Sequence, residues 1–499
     1  MHFDMIDLKQ NNNMIMEEKK MTKKIGLPSV IATGVGLIVA TSCLIMLSQG
    51  VGFAGKGFII AMAIACFLNI LVAFSFAELN AMMPITGGLG QYTLAAIGPF
   101  PSMIAVLGGY FICNIFAGSS EAAVIGIIAN SAFLPSVSPT IISLIIVAAL
   151  FAVNYFGVKS FARTQLLVTV FMLGSMLILA LTGAFSLGGE VVQQADTSFN
   201  PMGLSIISMS ALAFWLFIGI EFVTPLTKDL KNAKRDIPLG MILGLLILFV
   251  IQTIMVFAVS KYVPYDVLQT SNQPHMEFAT NLLGPRGGLW MSIISIGAVI
   301  STLNTVFAGV SRMLHGLSKG GMFPKVFAKT NKYGVPHLSL SLIVGMIAIT
   351  VMTGITTAQD LTRFILAGCL FWMFSYIIAH INVLVLRIKR PDVERSFAVK
   401  LFGLPQIVGI LGMVYMMLNI IDVPELKAQI YSMALIFGAG LIVFSFVWVK
   451  VVMKKGLFET VSIEKIIEAD SDIEDALKPT FEPTLEAEAP ILVPSVSED

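Results

Sequence analysis

Hydrophobic residues along the chain fall into about twelve long runs that short polar segments separate. Each run is close to the ~20 residues that an α-helix needs to cross the hydrocarbon core of a bilayer. The runs lack the period-two alternation of apolar and polar residues that is typical of a membrane β-barrel. The sequence therefore predicts an all-α polytopic membrane protein. The predicted spans are 27–48, 57–81, 102–130, 139–157, 164–187, 203–225, 238–261, 287–316, 338–355, 360–388, 404–422 and 429–453.

Composition agrees with this fold class. Of the 499 residues, 56% are hydrophobic and 12% are charged, which is about half the charged fraction of a soluble domain. The cysteines show neither the spacing of a disulfide framework nor that of a metal site, so we expect packing residues and no bound metal. They are Cys43, Cys66, Cys113 and Cys369, and all lie inside apolar runs.

Positive charge is unevenly divided between the two sides that the spans define. With the N-terminus inside, all but five of the 31 Lys and Arg residues fall in cytoplasmic segments. Cytoplasmic loops of membrane proteins carry such an excess. The sequence therefore predicts a multi-pass protein of the cell (inner) membrane with both termini cytoplasmic. Its predicted parts are an N-terminal segment at 1–24, a transmembrane domain at 25–455 and a C-terminal tail at 456–499.

The tail differs from the rest of the chain. Residues 456–499 hold twelve acidic residues against two lysines, together with four prolines. Such a segment cannot bury a core, so a solvated, mobile extension is expected. The alternative is a short helix around 461–477 that docks beneath the membrane domain or binds a partner. Its apolar residues are Ile463, Ile466, Ile467 and Ile473.

Two predicted spans that lie five spans apart contain residues that interrupt a helix. The sixth span carries Gly219. The first carries a glycine-rich run, Thr33–Gly36, and then a small polar patch, Ala40, Thr41 and Ser42. Inverted-repeat transporters hold their substrate where discontinuous helices break near the middle of the bilayer. The spacing favours such a site, although glycines in the first span also allow close packing of helices.

A helix break inside the bilayer has a direct chemical consequence. It leaves main-chain N–H and C=O groups without helical partners in a medium that offers no water. The N-terminal end of a half-helix then suits a carboxylate, and freed carbonyls suit an ammonium group. A zwitterionic amino acid offers one group of each kind. A carboxyl group at this depth is itself costly, so Glu121 in the third span and Glu221 in the sixth are functional candidates.

Three segments resemble the amino acid–polyamine–organocation (APC) transporters, and together the resemblance covers roughly residues 25–450. In the sixth span and the loop after it, Phe217-x-Gly219-x-Glu221 is followed by K-x-x-K-N-x-x-R-x-I-P, which ends at Pro238. The other two segments lie at the ends of the second and eighth spans and in the loops after them. They are Ala77–Asn80 with Met83–Gly88 and Tyr92, and Ser311–His315 with Gly320–Lys325 and Val335–Pro336.

The resemblance implies both a fold and a function. The APC fold has ten core helices in two inverted repeats, here 25–188 and 201–390, and two further helices at 404–453. The implied function is secondary active transport of an amino acid by alternating access, driven by a proton or ion gradient or by exchange. Because few fixed charges are expected near the pocket, a neutral amino acid is favoured. The alternatives are an amine or polyamine transporter of the same fold, or a transporter-like membrane sensor.

The resemblance also implies substrate-binding positions. Where the family has a glycine-rich break in its first helix, this chain aligns Ala40, Thr41 and Ser42. This departure leaves open which amides meet the substrate carboxylate, and the two hydroxyl groups are candidates to share that task. Trp215 takes the position of an aromatic gate, with a lipid-facing tryptophan as the alternative. The family's freed carbonyls are placed near Phe217, Ile218 and Gly219.

Coupling and gating are assigned to Glu221, Trp215, Glu121 and Asn304. Glu221 matches a glutamate that is linked to gating or proton coupling in some relatives. Its alternative role is that of a hydrogen-bonded glutamate tying neighbouring helices together. Glu121 has no counterpart in the family pattern, and it either faces the cavity or pairs with a polar group. For Asn304, and for His380 in the tenth span, an interhelical hydrogen bond is the alternative to a role in transport.

The resemblance also bears on the coupling ion. Several APC relatives carry a lysine in helix five, and the matching position here is Met172. The fixed cation of those relatives is therefore missing, which argues against the same coupling mechanism. Hydroxyl groups of the eighth span are candidates for binding a small cation, with hydrogen bonding between helices as the alternative. They belong to Ser301, Thr302 and Thr305.

Enzyme signatures are missing from the sequence. It has no glycine-rich phosphate loop with Lys and Ser/Thr, no H-E-x-x-H and no G-x-S-x-G. The cytoplasmic loops are also short, so nucleotide hydrolysis has no domain in which to occur. The expected partners are a small-molecule substrate, protons or a small cation, and the lipid bilayer. No cofactor and no nucleic acid are expected.

Overall fold

The computed structural model describes residues 26–85, 87–156, 161–192, 194, 198–354, 358–399 and 401–469. Within these residues the chain is helical and contains no β-strand. In chain order the α-helices are α1 (Leu27–Ile38), α2 (Thr41–Ala54), α3 (Phe58–Met82), α4 (Leu89–Ala96), α5 (Pro99–Val106), α6 (Cys113–Ala132), α7 (Pro139–Tyr155), α8 (Phe161–Ala184), α9 (Ser210–Phe214), α10 (Ala233–Tyr262), α11 (Tyr265–Thr270), α12 (Pro274–Lys319), α13 (His337–Met352), α14 (Ala358–Lys389), α15 (Leu404–Leu418) and α16 (Pro424–Val447).

Other helical types complete several of these spans. A π-helical turn, Leu107–Ile112, joins α5 to α6, and another, Trp448–Val452, extends α16. The sixth span consists of the 3₁₀-helix Gly203–Met209, then α9, and then the 3₁₀-helix Ile220–Asp229. A further 3₁₀ turn, Lys325–Ala328, lies in the connector after α12.

Apolar helices occupy all twelve predicted spans. In the described part of the chain, seven helical stretches are long and apolar enough to cross a membrane, and five shorter apolar stretches fill the remaining places. The prediction of an all-α polytopic membrane protein is therefore confirmed. The shorter stretches are Leu27–Ile38, Pro139–Tyr155, Gly203–Phe214, His337–Met352 and Leu404–Leu418.

Two connectors contain helices that the hydrophobic runs did not predict. α4 follows the second span, while α11 and the first part of α12 lie between the seventh and eighth spans. α12 bends at Leu283 and Gly284, where the glycine has φ +67° and Pro285 follows. The eighth span is thus the second part of a longer helix. These added segments are too short to produce a span-length signal in the sequence.

Burial separates a central group of helices from a peripheral one. In the most apolar 18-residue segment of the third span, 83% of the residues are buried, whereas in that of the twelfth span only 17% are. Side chains of α16 such as Leu435 and Ile436 are more than two-thirds exposed. Apolar side chains on the surface of a membrane-spanning helix face lipid. The last span therefore lies at the edge of the bundle, which agrees with its assignment to the two helices outside the ten-helix core.

A buried ion pair ties the end of α3 to the end of α14. Glu78 is 1% exposed, and its two carboxylate oxygens accept hydrogen bonds from Arg387 Nε at 2.8 Å and Nη2 at 2.6 Å. Arg395 Nε lies 3.4 Å from the same carboxylate. Two parallel, charge-assisted bonds are strong and fix the geometry of both partners. The pair therefore holds the second and tenth spans in a defined register.

The first part of the tail docks on the membrane domain. Residues 463–469 form a helix, and Ile463 and Ile466 are buried. Val461 N–H donates to the Leu94 carbonyl oxygen at 3.3 Å, which joins the tail to α4. The alternative in which this segment packs beneath the membrane domain is thus the one observed. Residues beyond 469, including Ile473, lie outside the described residues.

An ion pair reinforces this docking. Arg390 Nη2 lies 2.7 Å from Glu464 Oε1 and 2.9 Å from Asp392 Oδ2. Hydrogen bonding to the guanidinium lowers the pKa of both carboxyl groups. A carboxyl group whose pKa is lowered in the folded state stabilises the folded state at pH values above the usual carboxyl pKa. This stabilisation is lost as the pH falls through the lowered pKa. The contact is thus fully formed at neutral pH and weakens on acidification.

We expect Glu78→Gln to lower the free energy of unfolding by about 3 kcal/mol. This value is the lower end of the range for losing one partner of a buried pair, because Arg387 is partly exposed. The measurement is the melting temperature of the purified protein in detergent. The control is Glu394→Gln, at an exposed position in the next connector. Equal melting temperatures for the two variants would contradict a stabilising role for the pair.

Candidate substrate-binding site

The first span is two helices. α1 ends at Ile38, α2 begins at Thr41, and Ala40 between them has an extended backbone with φ −101° and ψ 163°. The break therefore lies at the small polar patch, whereas the glycine-rich run Thr33–Gly36 is part of α1. Peptide groups at the end of α1 and at the start of α2 have no partners within their own helices.

The sixth span is also interrupted. α9 ends at Phe214, residues 215–219 form an irregular turn, and a 3₁₀-helix resumes at Ile220. Gly219 has φ +106°, a left-handed conformation that glycine adopts without steric cost. Its N–H donates to Tyr376 Oη at 3.0 Å. Both interruptions predicted from the sequence thus exist, five spans apart.

Direct contacts join the two breaks. Trp215 Nε1–H donates a hydrogen bond of 2.7 Å to Ser42 Oγ, at the start of α2. Cys43 Sγ lies 2.8 Å from the Ile38 carbonyl oxygen, across the first break. Trp215 is 6% exposed and points into the protein, so the alternative of a lipid-facing tryptophan is wrong.

A small cavity lies between the breaks. Its lining comes from the end of α1, the break residue Ala40, α6, the sixth span, α12 and α14. Most of the lining is apolar, and among the described residues that form it Glu121 carries the single ionisable side chain. They are Leu37, Ile38, Ala40, Asn114, Ala117, Gly118, Glu121, Trp215, Ile218, Thr302, Val306 and Trp372.

Glu121 reaches from α6 to the N-terminus of α2. Its Oε1 accepts a hydrogen bond from the Ser42 N–H at 3.0 Å, and the residue is 1% exposed. Oε2 is buried and has no hydrogen-bond partner among the described residues. Both alternatives raised from the sequence therefore hold at once, because the carboxyl group lines the cavity and also pairs with a polar group.

Glu221 sits behind the cavity wall in a cage of three donors. Tyr376 Oη donates to Oε2 at 2.6 Å, while Trp372 Nε1–H and Tyr110 Oη donate to Oε1 at 2.9 and 3.1 Å. Tyr110 belongs to the π turn of the third span, and the other two belong to α14. The carboxyl group therefore ties the sixth span to the third and tenth. The sequence did not reveal these donors, although an aromatic residue with a polar atom inside an apolar span is a usable signal.

Hydroxyl groups of α12 cover the freed end of α1. Ser301 Oγ donates to the Gly36 carbonyl oxygen at 3.2 Å, and Thr302 Oγ1 donates to that of Leu37 at 3.3 Å. Thr305 Oγ1 instead bonds to the Ser301 carbonyl oxygen within its own helix. Two hydroxyl and two carbonyl oxygens thus gather at the first break, a set of hard oxygen donors that suits a small cation.

Thr41 faces away from the cavity. Its Oγ1 donates to the Ser295 carbonyl oxygen on α12 at 2.9 Å. Thr41 and Ser42 thus support the start of α2 from behind, and they are not among the residues that line the cavity. Phe217 is also buried away from it, packed against Phe249.

Two other predicted site residues make interhelical hydrogen bonds. Asn304 accepts a bond of 2.7 Å from Asn154 Nδ2, which joins α12 to α7. His380 Nδ1 lies 2.8 Å from Ser75 Oγ, which joins α14 to α3. Neither residue lines the cavity, so the structure favours the packing alternative for both. Met172 is fully buried on α8.

No metal centre is evident in the part of the chain that the structure describes. Groups of three or more His, Cys, Asp or Glu side chains that could hold a metal ion are not found there. The four cysteines are buried and free. They lie in the helix core as small packing residues.

Comparison with known proteins identifies the family. A family model described as "Amino acid permease" matches residues 25–447. Among curated relatives, the branched-chain amino acid permease BcaP of Bacillus subtilis (strain 168) is 25% identical over 438 residues, covering 81% of this chain and 89% of BcaP. The methylthioribose transporter of the same organism is 23% identical over 398 residues, covering 75% and 82%. Its aspartate-proton symporter is 21% identical over 400 residues, covering 76% and 75%.

These findings agree with the motifs at the ends of the second, sixth and eighth spans. The family model covers the whole membrane domain apart from its last few residues. The relatives are transporters and none of those compared is an enzyme. The chain therefore belongs to the amino acid permease family of membrane transporters.

Proposed function

We propose that this permease moves a neutral amino acid across the cell membrane by alternating access. The observation that supports the proposal best is the cavity between two broken helices, with a helix N-terminus at one wall. α2 begins beside the cavity at Thr41, and the irregular turn at 215–219 forms the facing wall. Such ends carry the partial charges that complement a zwitterion.

Each part of a neutral amino acid has a complementary surface. We place the substrate carboxylate at the first N–H groups of α2, near Ser42, because an anion is stabilised there. The ammonium group goes to the carbonyl end of α1, where Leu37 and Ile38 border the cavity. The side chain then contacts apolar residues such as Ile218 and Val306. The name of the branched-chain relative supports an apolar side chain.

Movement between outward and inward states requires the two repeats to rearrange around this site. Trp215 is placed to act as a gate, since it lines the cavity and bonds to the first break. Trp372 also lines the cavity, and it donates to Glu221. A change in the shape of the cavity is thus transmitted to the cage of hydrogen bonds around that carboxyl group.

The driving force is a gradient or exchange. The name of the aspartate-proton symporter supports proton coupling within this family. A small cation is the other candidate, held by the oxygens of Gly36, Leu37, Ser301 and Thr302. Uptake measured with a proton gradient and with a sodium gradient, each applied alone, distinguishes these ions.

We also propose that both termini lie in the cytoplasm. The excess of Lys and Arg in the segments assigned to that side supports this orientation. The docked tail supports it too, because Val461 contacts Leu94 in the connector between the second and third spans. That connector was assigned to the cytoplasmic side independently of the tail.

One observation favours a second candidate, an amine as substrate. Glu121 places a carboxyl group in the cavity itself, and a fixed anion attracts an ammonium group. The methylthioribose transporter also indicates that relatives are not restricted to amino acids. L-Leucine and its decarboxylated counterpart, 3-methylbutylamine, have the same apolar body and differ only in the carboxylate. They are therefore the most informative pair of probes.

The test is uptake of labelled L-leucine and 3-methylbutylamine into proteoliposomes that contain the purified protein. The proposal predicts saturable uptake of leucine, and it predicts that an excess of the amine does not inhibit this uptake. Saturable uptake of the amine without uptake of leucine would support the second candidate, an amine substrate, in place of an amino acid. The proposed function would be contradicted if the protein neither bound nor transported either probe and gave the same result with the other common amino acids.

We expect Gly219→Leu to weaken leucine binding at least about tenfold, or ~1.4 kcal/mol. Gly219 has φ +106°, and an added Cβ would lie 3.1 Å from Leu37 Cδ2, beside the cavity. The control is Gly354→Leu, because Gly354 has φ +89° and no atom of the described residues lies within 4 Å of an added Cβ. The two variants share backbone strain, so a difference in affinity measured by thermal shift reports the site. Equal affinities would contradict this placement.

We expect Glu221→Gln to slow transport at least tenfold, with leucine affinity changed less than threefold and the pH profile unchanged. The amide group presents two N–H donors to a cage that already supplies three donors, so the cage loosens. The measurements are initial uptake rates and binding from pH 5 to pH 8. An altered pH profile would instead support the coupling role that the family match implies for Glu221.

A further inference from the structure

The N-terminus of α2, a helix of 14 residues, already carries a carboxylate. Glu121 belongs to another span, yet its Oε1 accepts the Ser42 N–H at 3.0 Å. The helix dipole and the unpaired N–H groups of the first turn stabilise a charged carboxyl group at this point. The position is the one proposed above for the carboxylate of the substrate.

The second oxygen of this carboxyl group is unsatisfied. Glu121 Oε2 is buried and has no hydrogen-bond partner among the described residues, while the residue is 1% exposed and lines the cavity. Leaving a buried acceptor without a partner is unfavourable. A proton bound at Oε2, or a group brought by a ligand in the cavity, removes that cost.

Among the described residues that line the cavity, none carries a positive charge that would let two carboxylates share the helix end. The titratable group that faces Glu121 from α2 is the thiol of Cys43. The described residues of the sixth span, α12 and α14 that line the cavity include no titratable side chain. Two charged carboxylates in a low-dielectric site repel each other. The cavity-lining residues of those three elements are Trp215, Ile218, Thr302, Val306 and Trp372.

We propose that Glu121 is a tethered competitor of the substrate carboxylate and that its protonation opens the site. The inference rests on the proposed function, because it requires a substrate with a carboxylate. The charged form of Glu121 holds the Ser42 N–H and blocks the helix end. When a proton from solution binds to the carboxylate, the attraction to the helix dipole is lost. The substrate carboxylate then takes the Ser42 N–H.

This exchange couples the substrate to one proton. The protonated transporter binds the substrate more tightly, and by reciprocity the bound substrate holds the proton more tightly. Both travel together through the alternating-access cycle. When the substrate leaves on the other side, Glu121 returns to the helix end and releases its proton there. The permease is therefore a proton symporter whose coupling group is in the third span, while Glu221 serves the packing of the sixth.

The test compares wild type, Glu121→Gln and Glu121→Asp in proteoliposomes. For wild type, leucine affinity falls as the pH rises, by up to about tenfold per pH unit, the limit for linkage to one proton. Glu121→Gln lacks the charge, so its affinity is independent of pH. It exchanges leucine for leucine but does not concentrate it in a proton gradient. Glu121→Asp keeps a titrating group and therefore keeps pH-dependent affinity.

The control is Glu425→Gln, at an exposed position at the start of α16, which behaves as wild type. A pH dependence in Glu121→Gln equal to that of wild type would overturn the inference. Loss of leucine binding at every pH in Glu121→Gln, with Glu121→Asp still binding, would also overturn it and make Glu121 an ammonium anchor. Failure of wild type to bind leucine is a separate outcome, which refutes the proposed function itself.

Discussion

A peptide group inside a bilayer has no water to bond with, so every helix break in this protein must be satisfied by protein groups or by the substrate. At the first break, Ser301 and Thr302 supply hydroxyl groups to the carbonyls of α1, and Glu121 accepts an N–H of α2. At the break in the sixth span, Tyr376 Oη accepts a hydrogen bond from the Gly219 N–H. The polar side chains near the cavity are explained by this requirement before any role in transport is considered.

The same requirement gives the two intramembrane glutamates, Glu121 and Glu221, different roles. Glu221 receives three donors from two neighbouring spans, so its hydrogen-bonding capacity is largely used within the protein. Glu121 accepts the Ser42 N–H, and its second oxygen, beside the cavity, has no hydrogen-bond partner among the described residues. A carboxyl group with one free oxygen is suited to exchange a proton, whereas a fully bonded one is suited to hold helices together. Environment, rather than residue type, separates the roles.

The sequence was sufficient for the fold and for the existence of both breaks. Span-length apolar runs predicted the helices, because the bilayer sets the length of each one. Gly219 predicted the second break, because glycine adopts conformations that interrupt a helix. In the structure its conformation is indeed left-handed. For the first break the sequence offered two places. The chain opens at Ala40, in the polar patch that the resemblance aligned with the family's break, whereas the Thr33–Gly36 run is helical.

The partners of the site residues could not be predicted. Tyr110, Trp372 and Tyr376 lie more than a hundred residues from Glu221 in sequence, and a single sequence contains no direct signal for such contacts. The pairing of Asn154 with Asn304 is a similar case. Glu121 was recognised as costly in a membrane, but its place at the start of α2 follows from packing that only the structure reveals.

The most direct test of the central claim, that the substrate occupies the cavity between the breaks, is protection of a cysteine at Ala40. The protein for this test carries Ala40→Cys together with replacement of Cys43, Cys66, Cys113 and Cys369 by alanine. The measurement is the rate of labelling by a small methanethiosulfonate reagent with and without L-leucine. The account predicts that leucine slows labelling at position 40 and has no effect on a cysteine at Gly354. An unchanged rate at position 40, in protein that binds leucine, would contradict it.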